Sequence, residues 1–326
     1  MRPVRIANRW ILAGAMVIML AGCASGIAGT PTTSARTTNL TSLPTLSQLP
    51  SANVFGTCRL PVGVPYQAGE APGGWLDLPG GNFARDPSSR GVDSSNIIAW
   101  DGSIGRWIPT DPLSISPDGN TYLSMLTGDI QVVDARSGTV MHQTKTDGVF
   151  PNHVIAYTDS GIYLRAQGIA PPPGLWKVDP SSGALTQISS ASGLWEVVNG
   201  SWAWGTDALG TVRRLELSSG TANDVYKSAH RSVDVAGTVG SGVLVFESGD
   251  ANQPATAAVI EPDGSSTQVE VPPAMQRSFN GYFQDGPVVL ITGYGFGLAG
   301  YDANHGLQVL PGTSVVYQVF GRCAPA

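Results

Sequence analysis

A short hairpin pattern recurs along this 326-residue chain and restricts the folds that the chain can adopt. One copy reads KVDPSSGALTQI, in which two short strands flank an acidic residue and a turn rich in serine and glycine. The acidic positions of all six copies are Asp101, Asp134, Asp179, Glu216, Glu261 and Asp302. Successive acids lie 33, 45, 37, 45 and 41 residues apart. The chain is therefore built from similar units of about 40 residues.

A second hairpin precedes each acidic turn. ISPDGNTYLSML from Ile115 and VIAYTDSGIYLRA from Val154 are two examples, and their centres contain residues that favour tight reversals. The hairpin GGWLDLPGGNFARD at 73–86 has the same place ahead of Asp101. Two hairpins in about 40 residues are typical of a β-propeller blade, and no segment carries a long apolar pattern at helical spacing. We predict an all-β fold, a six-bladed β-propeller, with seven blades as the alternative.

The apolar composition of these strands indicates that they are covered on both faces. Runs such as VIAY, VLVF and VVLI are nearly continuous, as expected where one blade packs on the next. We expect the tryptophans of the repeats to fill the space between blades, although a sugar-stacking role is an alternative. These residues are Trp75, Trp100, Trp107, Trp176, Trp195, Trp202 and Trp204.

The end of the chain contains a strand that the six units do not use. After the sixth acidic turn, SVVYQVFGRC is free to pair into the first blade and so close the ring, which would otherwise leave exposed sheet edges. Cys58 and Cys323 are the two cysteines of the repeat region. In an exported protein such a pair predicts a disulfide, here one that locks the seam. Two separately buried thiols are the alternative.

The first residues have the features of an export signal. Arg2, Arg5 and Arg9 precede an apolar run at 10–20 that is short for a membrane-spanning helix. The run ends in LAGC, which resembles the lipobox of bacterial lipoproteins. This resemblance implies that Cys23 is acylated, for example with palmitate, and becomes the first residue of the mature protein. An ordinary cleaved signal and an uncleaved anchor are the alternatives.

The segment between the signal and Cys58 is rich in serine, threonine and proline. Such a composition buries too little apolar surface to offset chain entropy, so we expect a disordered tether. The predicted organisation is a lipoprotein signal peptide at 1–22, a tether at 23–57 and a β-propeller at 58–326.

Two of the repeats resemble those of known propellers. IQVVDARSGTVMHQ from Ile130 is similar to the repeats of YVTN-type and quinoprotein-like propellers, and ISPDGNTYLSM resembles those of WD-like propellers of the TolB type. The resemblance implies a propeller over 58–326. It implies no particular activity, because unrelated functions share this fold.

Composition and motifs argue against several function classes. The net charge is −6, and the part after the signal has no basic cluster, so we do not expect nucleic-acid binding. The sequence contains no G-x-S-x-G elbow, no H-E-x-x-H motif and no Cys/His zinc spacing. The acids of the repeated turns are expected to bond nearby backbone amides rather than calcium.

One set of polar residues falls near the starts of the predicted innermost strands. In a propeller these strands border the central channel, and six-bladed lactonases of the gluconolactonase type bind a divalent metal there. The resemblance extends only to residue type and blade position. The candidate axial ligand or metal-site residues are Asp111, Asn152, His153, Glu196, Asp234 and Asn280. The alternative is a water-filled channel with ordinary polar walls.

These observations favour an exported, lipid-anchored propeller that acts as a protein- or ligand-binding or scaffold module. A metal-dependent hydrolase or lactonase is the second interpretation, and a quinone- or sugar-binding propeller is the third. We expect no cofactor, attachment to the membrane through Cys23, an extracytoplasmic location at the cell surface or in the periplasm, and a monomer. The predicted contact surface consists of projecting loops at 165–176, 247–256 and 292–301.

Overall fold

The folded part of the chain consists of antiparallel β-sheet and a few single-turn 3₁₀ helices. The computed structural model describes residues 57–65, 70–93, 97–126, 129–146, 151–166, 174–228, 232–247, 254–275 and 279–325. Across these ranges there is no helix with the length and apolar character needed to cross a membrane. The signal peptide, Cys23 and nearly all of the tether lie outside the described residues and stay predictions.

Four of the blades are regular four-stranded meanders in which consecutive strands pair. Blade 3 contains β9 (Pro151–Thr158), β10 (Gly161–Ala166), β11 (Gly174–Val178) and β12 (Leu185–Ser189). Blade 4 contains β13 (Leu194–Asn199), β14 (Trp202–Thr206), β15 (Thr211–Glu216) and β16 (Ala222–Lys227). Blade 5 contains β17 (Val233–Val239), β18 (Gly242–Glu247), β19 (Thr256–Ile260) and β20 (Ser266–Val269). Blade 6 contains β21 (Gly281–Asp285), β22 (Val288–Gly293), β23 (Gly297–Asp302) and β24 (Gly306–Val309).

Blade 2 has three strands and an irregular inner edge. Its strands are β6 (Thr121–Leu126), β7 (Asp129–Asp134) and β8 (Val140–Lys145). The segment before β6 contains a 3₁₀ turn at Pro112–Ser114 and pairs with β6 through a single bridge between Ile115 and Tyr122. This segment takes the place that an innermost strand has in the regular blades.

Blade 1 joins the two ends of the propeller, as predicted. From the N-terminal side it receives β1 (Cys58–Gly63), β2 (Gly73–Leu78) and β3 (Asn82–Arg85). From the C-terminal end, β25 (Gln318–Val319) and β26 (Ala324–Pro325) both pair antiparallel with β1. The predicted Cys58–Cys323 disulfide is present beside this pairing, with a Cα–Cα distance of 5.8 Å. The sheets thus form a closed six-bladed β-propeller.

The predicted composition of the first blade is wrong in one respect. The hairpin at 73–86 was expected to share a blade with the Asp101 hairpin, but it forms β2 and β3, and β2 pairs with β1 along its whole length. The Asp101 hairpin, β4 (Ala99–Asp101) and β5 (Arg106–Ile108), is a separate two-stranded sheet. It lies between blades 1 and 2, because Trp100 N donates to Phe320 O at 2.8 Å and Thr110 Oγ1 to Leu123 O at 2.6 Å.

The core lies between the blades, where both faces of the sheets are covered. All six residues of β18 are buried, as are those of β22 and β23, which explains their nearly continuous apolar sequences. Trp195 and Trp204 are fully buried, in accordance with the predicted filling role. Trp75, Trp100 and Trp202 are only half-buried.

Four of the six acidic residues of the repeated turns accept from backbone amides of their own turn, as predicted. Glu216 accepts instead from the hydroxyl of Ser219, and Glu261 accepts from that of Ser241 in the preceding hairpin. Asp134 Oδ1 accepts from Ser137 N at 2.7 Å, and Asp179 Oδ1 accepts from Ser181 N at 2.8 Å. Gly138 and Gly183 close these turns at φ values of 71° and 74°, a conformation that favours glycine. The repeated pattern is therefore a structural device that reverses the chain between the third and fourth strands.

Of the three predicted projecting loops, only the last lies wholly within the described residues. Residues 167–173 and 248–253, which make up most of the first two, are outside them. Residues 292–301 lie largely in β22 and β23, so the loop is shorter than expected and spans 294–296.

Candidate axial site

The innermost strands of the blades surround a cavity of about 780 Å³. Its wall is formed by β9, β13, β17 and β21, together with residues 111–115 of blade 2 and the segment that contains β25. Each of these strands is the first of its blade, so its side chains point alternately toward the axis and into the sheet interface. The propeller therefore has a pocket at its centre whose wall mixes polar and apolar side chains.

Five of the six predicted axial residues line this cavity. His153, Glu196 and Asp234 lie near the starts of β9, β13 and β17, Asn280 directly precedes β21, and Asp111 caps the 3₁₀ turn of blade 2. Residue Asn152 belongs to β9, but its side chain is outside the described part of the chain. Counting back from the hairpin turns thus led to five positions that border this cavity, and their role as ligand or metal-site residues stays a prediction.

Arg165 is a central residue of the site that the sequence did not reveal. It comes from β10, the second strand of blade 3, and its Nη1 lies 3.2 Å from Glu196 Oε1 of blade 4. The other carboxylate oxygen of Glu196 accepts from Val235 N of blade 5 at 2.8 Å. Glu196 thereby connects three successive blades.

The environment of Glu196 favours its protonated form. Burial raises the pKa of Glu196 to about 7, since it outweighs the opposing effects of Arg165 and the Val235 amide, and the nearby Asp234 raises the pKa further. Burial also raises the pKa of Asp234, against the opposing charge of Arg165. Both carboxyl groups therefore hold their protons more strongly than exposed ones.

His153 is uncharged in this setting. Burial lowers the pKa of His153 to about 4, and the positive charge of Arg165 acts in the same direction. At neutral pH its imidazole presents one donor and one acceptor. Asp111 lies elsewhere in the wall, where burial raises its pKa although Leu113 N donates to its Oδ1 at 2.9 Å.

Two buried polar atoms of the wall have no hydrogen-bond partner among the described residues. They are Arg165 Nε and the hydroxyl oxygen of Tyr282. Burial raises the pKa of Tyr282 well above its ordinary value, and the charges of Asp234 and Glu196 add to this effect. Buried polar groups are nearly always paired, so two unpaired donors in one cavity wall require an explanation.

The described side chains do not fit a divalent metal ion. No group of three or more His, Cys, Asp or Glu side chains within the described ranges is placed to share a cation. The oxygens of Glu196, one of the predicted ligands, instead face Arg165 and a backbone amide. Because Ca²⁺ and Mg²⁺ require several converging oxygen ligands, we derive no chemistry from a metal at this site.

Comparison with known proteins yields structural similarity only. No protein-family profile and no curated protein matches the chain. Among solved structures, TolB from Acinetobacter baumannii is 15% identical with a TM-score of 0.48, covering 84% of this chain and 68% of that one. A putative 6-phosphogluconolactonase from Bacteroides fragilis is 14% identical with a TM-score of 0.48, covering 83% and 98%.

BamB from Moraxella catarrhalis is 17% identical with a TM-score of 0.38, covering 60% of this chain and 62% of its own. The structure of Ika8, a computationally designed protein, is also similar, and the match spans 64% of the length of Ika8. At these levels of similarity the fold assignment depends on the strand pairing itself. The pairing identifies the chain as a six-bladed β-propeller.

Proposed function

We propose that the protein is an exported, lipid-anchored binding module whose axial cavity takes a small polar ligand. This proposal rests on two buried donors in the cavity wall, Arg165 Nε and the Tyr282 hydroxyl. Neither has a hydrogen-bond partner among the described residues. An unpaired buried donor costs roughly 1–3 kcal/mol, which a ligand with suitable acceptors would recover. The lipid anchor at Cys23 is part of the proposal and depends on the sequence alone.

The geometry supports binding better than metal-dependent catalysis. The wall combines polar groups from several blades with the aromatic residues Tyr157, Phe279 and Tyr282, as is common in small-molecule sites. The cavity volume of about 780 Å³ is within the range of roughly 300–1,000 Å³ that such sites have. A rigid propeller holds these groups in place before the ligand arrives, which reduces the entropic cost of binding.

One observation favours a second candidate function, acid–base hydrolysis. The pKa of Glu196 near 7 suits a residue that gives and takes a proton at neutral pH. On this alternative, Glu196→Gln would abolish turnover of a hydrolase substrate while substrate binding persisted. Elemental analysis of the purified protein tests the metal-dependent version, which requires a bound divalent ion that Asp234→Ala removes.

Thermal unfolding in the presence of a broad metabolite and glycan panel tests the binding proposal. A ligand that binds only the folded protein raises the unfolding temperature, and the stabilisation grows with the logarithm of 1 + L/Kd, where L is the free ligand concentration. We expect the shift to shrink in Tyr282→Phe and to persist in Asp263→Asn, whose carboxylate bonds to Ser265 in an exposed turn. If every stabilising ligand acted equally on wild type and Tyr282→Phe, the axial cavity would not be the binding site.

A further inference from the structure

We infer that the axial cavity binds a neutral oligosaccharide, with one sugar unit inside the cavity and a neighbouring unit against the exposed pair Tyr294 and Tyr317 at its mouth. This inference rests on the proposed function and specifies its ligand class. Two independent features of the described residues carry it. They are the mixture of free donors and acceptors in the wall and the aromatic surface beside the opening.

The free polar groups of the wall include both donors and acceptors. Arg165 Nε and the Tyr282 hydroxyl are unpartnered donors. The side chains of His153, Asp234 and Asn280 line the same cavity and make no hydrogen bond to any other described residue. A sugar hydroxyl donates one hydrogen bond and accepts up to two, so vicinal hydroxyls fit a wall in which donors and acceptors alternate.

The charge of the wall disfavours strongly ionic ligands. Arg165 pairs with Glu196 at 3.2 Å, and the side chains of Asp234 and Arg322 line the same cavity, so the wall carries groups of both charge types. A polyanion would meet the two carboxyl groups, and a polycation would meet the guanidinium group. A neutral ligand that carries many hydroxyls avoids both penalties.

An exposed aromatic pair lies at the mouth of the cavity. Tyr294 is 65% exposed and Tyr317 is 42% exposed, and their ring centroids are 6.1 Å apart at an interplanar angle of 63°. Tyr317 also lines the cavity, so the aromatic surface is continuous with the polar wall. Large exposed aromatic residues next to a pocket mark interaction sites, and tyrosine rings pack well against the C–H faces of sugars.

The backbone holds both tyrosines in place. Tyr317 N donates to Gly63 O at 2.9 Å, which fixes Tyr317 to blade 1. Tyr294 lies in the three-residue loop between β22 and β23, which closes at Gly297 with a φ of 80°. A side chain at Gly297 would collide with the backbone of Thr313, so this loop fits closely against the segment that leads to Tyr317. The platform is therefore preorganised.

Isothermal titration with matched probes tests the inference. The neutral probes are maltotriose, mannotriose and triacetylchitotriose with their monosaccharides, the anionic probes are trigalacturonate and citrate, and the cationic probe is spermidine. We expect at least one neutral trisaccharide to bind, and its affinity to fall in Tyr282→Phe. In Tyr294→Ala the trisaccharide should lose about tenfold in affinity, whereas its monosaccharide should bind as before. Tyr317→Ala should weaken both, because Tyr317 also lines the cavity, but the trisaccharide more than the monosaccharide.

Leu209→Ala is the matched control for the mouth, because Leu209 is also 65% exposed but belongs to blade 4. Its titrations should equal those of wild type. Binding of citrate, trigalacturonate or spermidine that depends on Tyr282, without binding of any neutral saccharide in the panel or on a glycan array, would overturn the inference and leave the proposed function standing. If no ligand of any class depended on Tyr282, both would fall.

Discussion

Tyr157 and Tyr282 both line the axial cavity, but only the hydroxyl of Tyr157 has a described partner, Thr121 Oγ1 at 2.7 Å. The bond of Tyr157 joins blade 3 to blade 2. The Tyr282 hydroxyl is buried and unpaired within the described ranges. The two residues therefore form a matched pair in which the same chemical change should have opposite effects.

We expect Tyr157→Phe to lower the free energy of unfolding by about 1 kcal/mol and Tyr282→Phe to raise it by a similar amount. The first change removes a hydrogen bond, whereas the second removes a desolvated group without a partner. Urea unfolding of the ligand-free protein measures both. Equal destabilisation by the two substitutions would show that the Tyr282 hydroxyl is bonded in solution.

Glu196 should make the stability fall as the pH rises. Its pKa is raised from 4.5 to about 7 in the folded protein, so between these values the folded state retains a proton that the unfolded chain has lost. The loss of stability from about pH 4.5 to above pH 7 is on the order of 3 kcal/mol for this group. Glu196→Gln should remove this component when unfolding is measured from pH 5 to 8.

His153 has the opposite effect on the pH dependence of stability. Its pKa is lowered from 6.5 to about 4, so between these values the folded state binds fewer protons than the unfolded chain. The free energy of unfolding therefore rises with pH in this range because of His153. The difference between wild type and Glu196→Gln isolates the effect of Glu196. Asp263→Asn is the control, since the pKa of Asp263 is lowered by its bonds to Ser265 and this group does not titrate above pH 5. If the difference in free energy of unfolding between wild type and Glu196→Gln stayed constant from pH 5 to 8, the raised pKa of Glu196 would be contradicted.

Asp86 should be required for packing between blade 1 and the β4–β5 hairpin. Its Oδ2 accepts from Trp75 Nε1 at 3.0 Å and from Trp107 Nε1 at 2.9 Å. Burial opposes ionisation of Asp86, but hydrogen bonds from Ser88, Trp107 and Trp75 outweigh it and lower the pKa to about 2. We expect Asp86→Ala to lower the free energy of unfolding by about 2 kcal/mol and to shift the tryptophan emission.

Asp86→Asn is the informative comparison, because it keeps an acceptor and loses the charge. Since the pKa of Asp86 is lowered, its stabilisation is present above about pH 4 and disappears as the pH falls toward 2. The stabilities of wild type and Asp86→Asn should therefore converge in acid. Convergence at neutral pH instead would mean that the charge contributes nothing.

The Cys58–Cys323 disulfide should stabilise the seam of the ring. The two cysteines are 265 residues apart in sequence, and in the chain-entropy description a crosslink that closes so long a loop contributes about 5 kcal/mol. We expect the double variant Cys58→Ser, Cys323→Ser to lose stability of this order in denaturant unfolding. Amide exchange should accelerate first in β1 and β25. Wild type under reductant should match the variant, and a variant as stable as the oxidised protein would refute this role.

Cys23 should carry the lipid. Metabolic labelling with an alkyne analogue of palmitate is expected to mark the wild-type protein, and Cys23→Ala should abolish the label and release the protein from the membrane fraction. The Cys58→Ser, Cys323→Ser variant should remain labelled, because its Cys23 is intact. Undiminished labelling of Cys23→Ala would place the modification elsewhere or point to a different anchor.

Much of the architecture was predictable because its determinants are local. The acid and the glycine of each turn lie within a few residues of one another, as Asp134 and Gly138 do, so their repetition in the sequence indicates the blades directly. The closure of the ring by the last strand was predictable from the segment that the six units do not use and from the pair Cys58 and Cys323. The positions of Glu196 and Asp234 at the axis followed from counting along strands whose orientation the fold fixes.

Other features depended on contacts between residues that are distant in sequence. The pairing of Arg165 with Glu196 joins two blades, and nothing near Arg165 in the sequence marks it as an axial residue. The unpaired state of Tyr282 and the meeting of Tyr294 with Tyr317 likewise depend on how neighbouring sheets pack. The sequence by itself determined the repeating unit, its turns and the clasp between its ends, since those depend on short-range backbone chemistry. Only the tertiary structure decided which side chains share the central cavity and what charge they carry, because burial and inter-blade distance set both.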